Sequence, residues 1–381
     1  MKNPNAPKIL INCSNLHVGG AVAVASSFID CLSRFEDVRA EISLLVSSLV
    51  LKNLHALGTD TSIFKSVVVL DCYGIKSMWQ GVDKYFVGQD VVFTVFGPSY
   101  FLFKRTHHLF GFAQPSIIYP NNSMTKRMGL ISRLKLRAKF KLQELFFSRA
   151  DQFVVELEHV KVGLEKLYFF RGKAIDVVYS TVDSVFSQTE RWQPVTIPDT
   201  TSIKLGIISR NYPHKNLACL PVLKQVLRER HSLDVDFFVT FPEQEWQQCT
   251  PFFRENIVNV GPLTLTQCPS FYTAMDGVIF PSLLECFSAV PIETMMMKRP
   301  LFASDLPFIR DCCHEHAHYF DPLNVDAMAD VIADYYAGLP AAHEKPLADA
   351  YEFVQGYPGP NHRAQAYIDL VLKAAAQLQH H

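Results

Sequence analysis

Residues 277–304 read GVIFPSLLECFSAVPIETMMMKRPLFAS. Gly277–Pro281 is a short apolar run, the segment that follows is helical through Glu293, and Pro300–Ala303 is apolar again. Strand, helix and strand in so few residues predict a βαβ unit with parallel strands and a right-handed crossover. The rhythm extends upstream. Ile203–Ile208 reads as a strand, Asn216–Arg228 as a helix, and Val235–Thr240 and Ile257–Val260 as strands. It also occupies the first half, where Lys8–Cys13, Ser66–Leu70, Val91–Val95, Leu109–Ala113 and Asp151–Val155 are strand candidates and Ala21–Leu32 is the first helix. Strands that are apolar without alternation belong to sheets covered on both faces. The fold class predicted is α/β.

The polar stretch 188–202 (QTERWQPVTIPDTTS) separates the two series and reads as a linker. The expected organisation is a Rossmann-like domain over 1–187, a second over 203–360, and a last helix, 361–381, packing back on the first. Ligands of such sheets bind at the carboxyl ends of the strands. There is no G-x-G-x-x-G fingerprint and no G-x-x-x-x-G-K-[ST] loop, so neither a dinucleotide nor a P-loop reading has support.

With 381 residues, 49% hydrophobic and 19% charged, the chain is ordinary globular material with enough apolar residues for two cores. No apolar stretch approaches transmembrane length and no signal-peptide pattern opens the chain. The nine cysteines form no C-x-x-C pair, which fits reduced thiols and a cytoplasmic protein. Cys312-Cys313-His314-Glu315-His316 lacks zinc-site spacing, and a helix end followed by a loop is preferred. The net charge of −1 hides a division: residues 1–200 carry 23 Lys+Arg against 17 Asp+Glu, and residues 201–381 carry 13 against 20.

In the second half, Arg210 and Lys215 lie on a strand-to-helix turn, where a guanidinium and an ammonium make an anion site suited to a diphosphate. Glu285 sits just beyond a strand end, and Glu293 lies about one turn into the next helix, where the positive helix end favours the ionised form. Such a carboxylate pair accepts hydrogen bonds from sugar and ribose hydroxyls; a helix-start Glu beside an exposed loop Glu would leave the same trace. Backbone N–H groups of Phe287, Ser288, Ala289 and Val290 are placed to face an anion.

The combination of strand, Glu285, seven residues, Glu293, helix and the 300–305 strand resembles the retaining glycosyltransferases of family 4, with Arg210 and Lys215 where that family keeps a cation pair. The resemblance covers roughly 203–340. It implies a GT-B fold, two Rossmann-like domains with parallel sheets facing across a central cleft. By position it makes Arg210, Lys215 and Glu285 catalytic, the cations neutralising the departing diphosphate and Glu285 holding sugar hydroxyls. Glu293 would hold the ribose, residues 287–290 the sugar and phosphate, and Gly261, Pro262 and Leu263 would border the base. Gly19-Gly20, after the first strand, corresponds to a family turn near the donor phosphates. No metal and no cofactor are expected. Cys286 and Ser288 stand where the family often has glycine, which narrows the sugar pocket.

In the first half, Gln114 and Tyr100 are candidate contacts on the acceptor side, while His107 and His108 lie at the wrong end of their strand for catalysis. The segment 126–149 holds Lys126, Arg127, Arg133, Lys135, Arg137, Lys139, Lys141 and Arg149 against Glu144 alone, interleaved with leucines. A basic amphipathic helix of this kind suits an anionic membrane surface, although a core helix with a basic outer face fits too. No RNA-binding motif accompanies it, and no nucleic-acid partner is expected. The activity implied is retaining hexosyl transfer from a nucleotide-diphosphate sugar to a glycan, lipid-linked as in O-antigen, capsule or exopolysaccharide precursors, at the cytoplasmic face of the inner membrane. A GT-B sugar-nucleotide epimerase and an inactive sugar-nucleotide-binding protein are the alternatives.

Overall fold

The computed structural model describes residues 7–17, 19–101 and 106–379. The chain divides into two compact units. One takes in residues up to Pro120, Met128–Ser180 and Pro358 onward; the other takes in Asn121–Arg127 and Thr181–Tyr357.

The first unit is built on seven strands: β1 (Ile9–Cys13), β2 (Ile42–Val46), β3 (Ser66–Val69), β4 (Val91–Thr94), β5 (His107–Gly111), β6 (Gln152–Val155) and β7 (Ala174–Val177), in the order β3-β2-β1-β4-β5-β6-β7. Every pairing is parallel. The interior strands β1 and β4 are buried at every position, as strands covered on both faces must be. Gly111 ends β5 because nothing larger fits: a Cβ there would stand 1.7 Å from the Val95 carbonyl oxygen.

The helix Gly20–Leu32 lies against the helix Pro360–Gln379 in this unit. Tyr367 from the latter packs edge-on against Phe28 and Phe93, with ring centroids 5.2 and 5.3 Å away. Ile368, Val371, Ala374 and Ala375 join the same core. Truncating an aromatic so enclosed costs about 3–5 kcal/mol.

The second unit holds β8 (Ile203–Ile207), β9 (Val235–Val239), β10 (Ile257–Asn259), β11 (Gly277–Phe280), β12 (Leu301–Ser304) and β13 (His318–Phe320), in the order β10-β9-β8-β11-β12-β13, again all parallel. Three strands, β2, β7 and β13, had no counterpart in the reading of the sequence. The expected helix at Asn216–Arg228 is a 3-10 turn followed by an α-helix, Leu220–His231.

Residues 181–187 sit with the second unit rather than the first. Val185 and Phe186 are buried there, Phe186 lying 6.0 Å from the Tyr272 ring, and the Trp192 indole donates to the Val185 carbonyl at 2.8 Å. The start of the expected linker is tied down too, since the Gln193 amide donates to the Thr266 carbonyl.

Cys312 and Cys313 are core residues at the end of the helix Pro307–Cys313, and the rings of His314 and His316 pack on Phe353. Among the described residues no group of three or more His, Cys, Asp or Glu is arranged to hold a metal ion. No helix there is long and apolar enough to cross a membrane.

Candidate functional site

In each sheet the strand order reverses once, between β1 and β4 in the first and between β8 and β11 in the second. At such a point the loops leave the two central strands in opposite directions and open a crevice at their carboxyl ends. The sequence candidates of the second unit gather at its reversal. Arg210 and Lys215 follow β8, and Glu285 follows β11.

Lys215 Nζ lies 2.6 Å from Glu285 Oε1, both side chains being largely buried. The Ser282 hydroxyl donates to the same carboxylate oxygen at 2.8 Å, and His214 Nε2 stands 3.7 Å from it. The loops are locked together by backbone as well, with the Leu283 amide donating to the His214 carbonyl at 2.7 Å. Lys215 also stands 5.1 Å from the centroid of Phe280. Burial holds the His214 pKa below its ordinary value, partly offset by the Glu285 charge, so the ring is neutral at physiological pH.

Arg210 has a different partner. Its Nε donates to Glu245 Oε1 at 2.6 Å, and the Asn211 amide donates to Glu245 Oε2 at 2.9 Å. The two cations read as one anion site are therefore each matched to a separate carboxylate, and an incoming diphosphate has to compete with Glu245 for the guanidinium. Glu245 was not among the sequence candidates. Its signal was present: it lies in the first turn of the helix Glu243–Gln247, which follows β9, the neighbour of β8.

Glu293 corrects an expectation. It is the fifth residue of the helix Ala289–Met296, and the helix start was expected to keep it ionised. Instead it is enclosed by protein atoms, with only part of its surface reaching solvent, and burial pushes its carboxyl up to about 7. The nearby Asp183 charge adds to the rise, while the Tyr272 hydroxyl, donating to Oε2 at 2.8 Å, opposes it. Desolvation outweighs a helix-end effect that is typically below 1 kcal/mol. Ser288 forms the cap of this helix, with Phe287 and Ala289 beside it half-buried and Val290 buried. Gly261, Pro262 and Leu263 follow β10, two strands away from β8, and Gly261 takes φ +80°.

In the first unit Gly19, with φ +70°, turns the chain into the helix that begins at Gly20, a conformation that L side chains rarely adopt. The reversal between β1 and β4 carries hydroxyls and an amide. Asn12 Nδ2 donates to Thr94 Oγ1 at 3.1 Å and Ser99 Oγ at 2.8 Å, while its Oδ1 accepts from the Ser14 hydroxyl at 2.7 Å. Ser14, Asn15, Cys72, Ser77, Ser99 and Tyr100 line a small pocket here.

Tyr100 and Gln114, both expected on the acceptor side, converge on one residue. Gln114 Nε2 donates to Gln143 Oε1 at 3.3 Å, and Gln143 also bonds the Tyr100 hydroxyl. His108 is buried and stacks on Phe101 at 4.3 Å, a core histidine at the amino end of β5.

The basic segment is two helices, Ser123–Arg127 and Leu130–Phe147, interrupted at 128–129. Lys126 is exposed in the first of them, and the Arg127 side chain lies outside the described part.

Residues 203–337 match the family of glycosyl transferases group 1. The chain is 22% identical over 166 residues to the O-antigen chain mannosyltransferase RfbU of Salmonella typhimurium, a match spanning 43% of this chain and 44% of that protein. Less than half of that protein's length is thus covered.

Among solved structures, sucrose-phosphate synthase from Thermosynechococcus elongatus superposes with a TM-score of 0.69 at 13% identity, covering 97% of this chain and 99% of that one. The Anabaena protein HepE in complex with UDP and glucose gives 0.64 at 13%, covering 97% and 100%. A glycosyltransferase from Rickettsia africae gives 0.64 at 14%, covering 97% and 98%. These likenesses show the fold: two parallel sheets of the GT-B type.

Proposed function

From the premise that residues 203–337 form a domain of the glycosyl transferases group 1 family, we propose that this chain transfers a hexose from a nucleotide-diphosphate sugar to a glycan acceptor with retention of configuration. The observation that carries the reading is the Lys215–Glu285 pair at the strand reversal of that domain. A largely buried ammonium held by a carboxylate is a charge kept in place for an anion, because the pair has already lost its water.

In the proposed reaction the donor diphosphate takes Lys215 and Arg210 as counter-charges. The bond from the anomeric carbon to the phosphate oxygen breaks, and the acceptor oxygen bonds to that carbon from the same face. The acceptor proton passes to the departing phosphate oxygen. No side-chain nucleophile takes part, and the two cations supply the charge that a divalent metal would otherwise bring. Glu285 binds sugar hydroxyls. Glu293, with its carboxyl raised to about 7, exchanges its proton near neutral pH and serves the ribose as hydrogen-bond donor or acceptor. The likeness to an O-antigen mannosyltransferase supports a lipid-linked polysaccharide precursor as acceptor.

A thermal-shift series over nucleotide sugars tests the donor site. A cognate donor at a hundred times its Kd stabilises the protein by about 2.7 kcal/mol. Transfer assays with the identified donor then read the anomeric configuration of the product, and an inverted product overturns the retaining reading. Conversion of the donor sugar with no acceptor present would instead indicate an epimerase.

A further inference from the structure

After β3 the chain returns to the strand reversal of the first unit. The Cys72 amide donates to the Ser14 carbonyl at 2.9 Å, and Gly74–Met78 forms a 3-10 turn. Cys72, Gly74 and Ser77 thereby line the small pocket at that reversal together with Ser14, Asn15 and Ser99. Asn15 Oδ1 is shielded from solvent, and among the described residues nothing donates to it.

Between Cys72 and Gly74 stands Tyr73, 56% exposed. One face of its ring is covered: the His17 imidazole stacks on it with centroids 4.0 Å apart and planes 16° from parallel. His17 is itself held. Its Nε2 donates to the Cys72 carbonyl at 2.7 Å, and its Nδ1 lies 3.7 Å from Asp71 Oδ1. The Asp71 carboxylate in turn accepts from the Ser48 amide at 2.9 Å and the Ser48 hydroxyl at 2.7 Å. The Tyr73 ring is thus fixed from behind and open in front.

A 3-10 turn repeats every three residues, so Tyr73, Lys76 and Trp79 share one side of it and span about 12 Å at its rise per residue. The Lys76 amide donates to the Tyr73 carbonyl at 3.2 Å and the Trp79 amide to the Lys76 carbonyl at 3.0 Å, as that period requires. All three residues are exposed, Trp79 at 79%. Two flat rings spaced along a surface that is otherwise polar suit one chemistry. A pyranose carries C–H groups on a face and hydroxyls around its rim, so it lies on an aromatic ring while the rim meets amides, hydroxyls and water. A lipid or an apolar protein surface would instead strip water from the exposed Lys76 and Gln80 and return nothing for it.

We propose that Tyr73 and Trp79 form a platform for an oligosaccharide, Tyr73 lying under one pyranose and Trp79 under another further along, with His17 as the residue that positions Tyr73. The occupant, which rests on the transferase reading, is the acceptor glycan. A platform of this length reads sugars already present on the acceptor, so the chain acts on a started oligosaccharide. An earlier sugar-transfer reaction must then supply that acceptor.

Saturation-transfer nuclear magnetic resonance on the full chain tests it, with maltotriose, an α-linked mannotriose and the acyclic polyol glucitol as probes. The wild-type protein transfers saturation to the ring C–H protons of the trisaccharides and none to glucitol. Tyr73→Ala and Trp79→Ala each weaken trisaccharide binding by about fivefold or more. Tyr73→Phe keeps the ring and the binding. His17→Ala weakens binding and His17→Phe, which restores a stacked ring, recovers it. An unchanged melting temperature and an unchanged donor-induced shift show that these surface variants keep their fold and the donor site. In transfer assays Tyr73→Ala raises the acceptor KM and leaves kcat unchanged.

Stacking reads the C–H face of the ring rather than one hydroxyl pattern, so failure of both trisaccharides to bind overturns the proposal. Wild-type binding by Tyr73→Ala, equal binding of glucitol, or a loss confined to kcat also overturns it. Trisaccharide binding with no stabilisation by any nucleotide sugar upholds the platform and overturns the transferase reading alone.

Discussion

Where β1 and β4 part, the first sheet leaves Asn12, Thr94 and Ser99 in a closed ring of neutral hydrogen bonds, with Ser14 bonded to Asn12 beside it. Where β8 and β11 part, the second leaves Lys215, Glu285, His214, Arg210 and Glu245. The strand order around each reversal is of one kind, so topology does not account for the contrast. It comes from the residues placed at the strand ends. A neutral ring saturates its own donors and fixes loop positions. A set of paired charges can exchange partners, so it is suited to an anion that arrives and leaves. The same topological feature therefore holds a neutral hydrogen-bonded frame in one unit and a set of paired charges in the other.

The sharpest way to separate the units is through their strand glycines. Gly111→Ala places a methyl against the Val95 backbone oxygen, which has no rotamer to give. The first unit is expected to lose its native sheet in far- and near-ultraviolet circular dichroism, a cost well above the usual overpacking range of about 1–3 kcal/mol. Gly206→Ala in β8 meets the Met275 side chain and Phe271 instead. A thioether chain can move, and urea melts should show a loss within that range.

The next largest effect is functional. Lys215→Ala removes the buried cation and should lower transfer by about a hundredfold to a thousandfold, with the urea midpoint of the first unit unchanged. Full activity in that variant would break the contrast between exchangeable and fixed sites.

A third prediction concerns pH. The Glu293 carboxyl keeps its proton to about 7 in the folded protein but loses it near 4.5 when unfolded. The folded state then binds more protons across that window, so stability falls as pH rises from about 4.5 to 7, by at most about 3 kcal/mol. Glu293→Gln should flatten the slope of unfolding free energy against pH. Glu156, in the first unit, behaves likewise: burial raises it to about 7 against the opposing Arg363 charge. Glu156→Gln should take a second share of the slope, and a profile that neither change alters contradicts both assignments.

The smallest effect tests the neutral ring. Asn12→Leu leaves three hydroxyl groups short of a partner and should cost about 1–3 kcal/mol. The thermal shift given by nucleotide sugar should be retained, because the proposed donor site lies in the other unit.

Much of this architecture was legible because its central strands are uninterrupted apolar runs: Ile9–Cys13, Val91–Thr94, Ile203–Ile207 and Gly277–Phe280 all fell within the expected ranges. Ile42–Val46 escaped because the apolar residues of the following helix continue its pattern across Ser47 and Ser48. His318–Phe320 escaped because three residues carry no periodicity.

The candidate site's geometry was legible where a charged residue follows a strand directly, as at Lys215 and Glu285, which the fold brings together. It was not legible where the deciding partner is distant in sequence. Glu245 captures Arg210 from 35 residues away. Glu293 owes its raised pKa to enclosure, with Asp183 adding to it and Tyr272 opposing it. No local pattern reports how deeply a carboxylate is enclosed.

The helix Pro360–Gln379 carries a consequence in time. Tyr367, Ile368, Val371, Ala374 and Ala375 fill the core between the first helix and the first sheet, yet they are translated only after the whole of the second unit. On the ribosome, the second unit has its whole sheet before this helix emerges, while Phe28 and Phe93 wait uncovered for residues 360–375. The unit begun first is closed only after the second, and a ribosome that stalls after residue 357 leaves a finished second unit attached to an open first one.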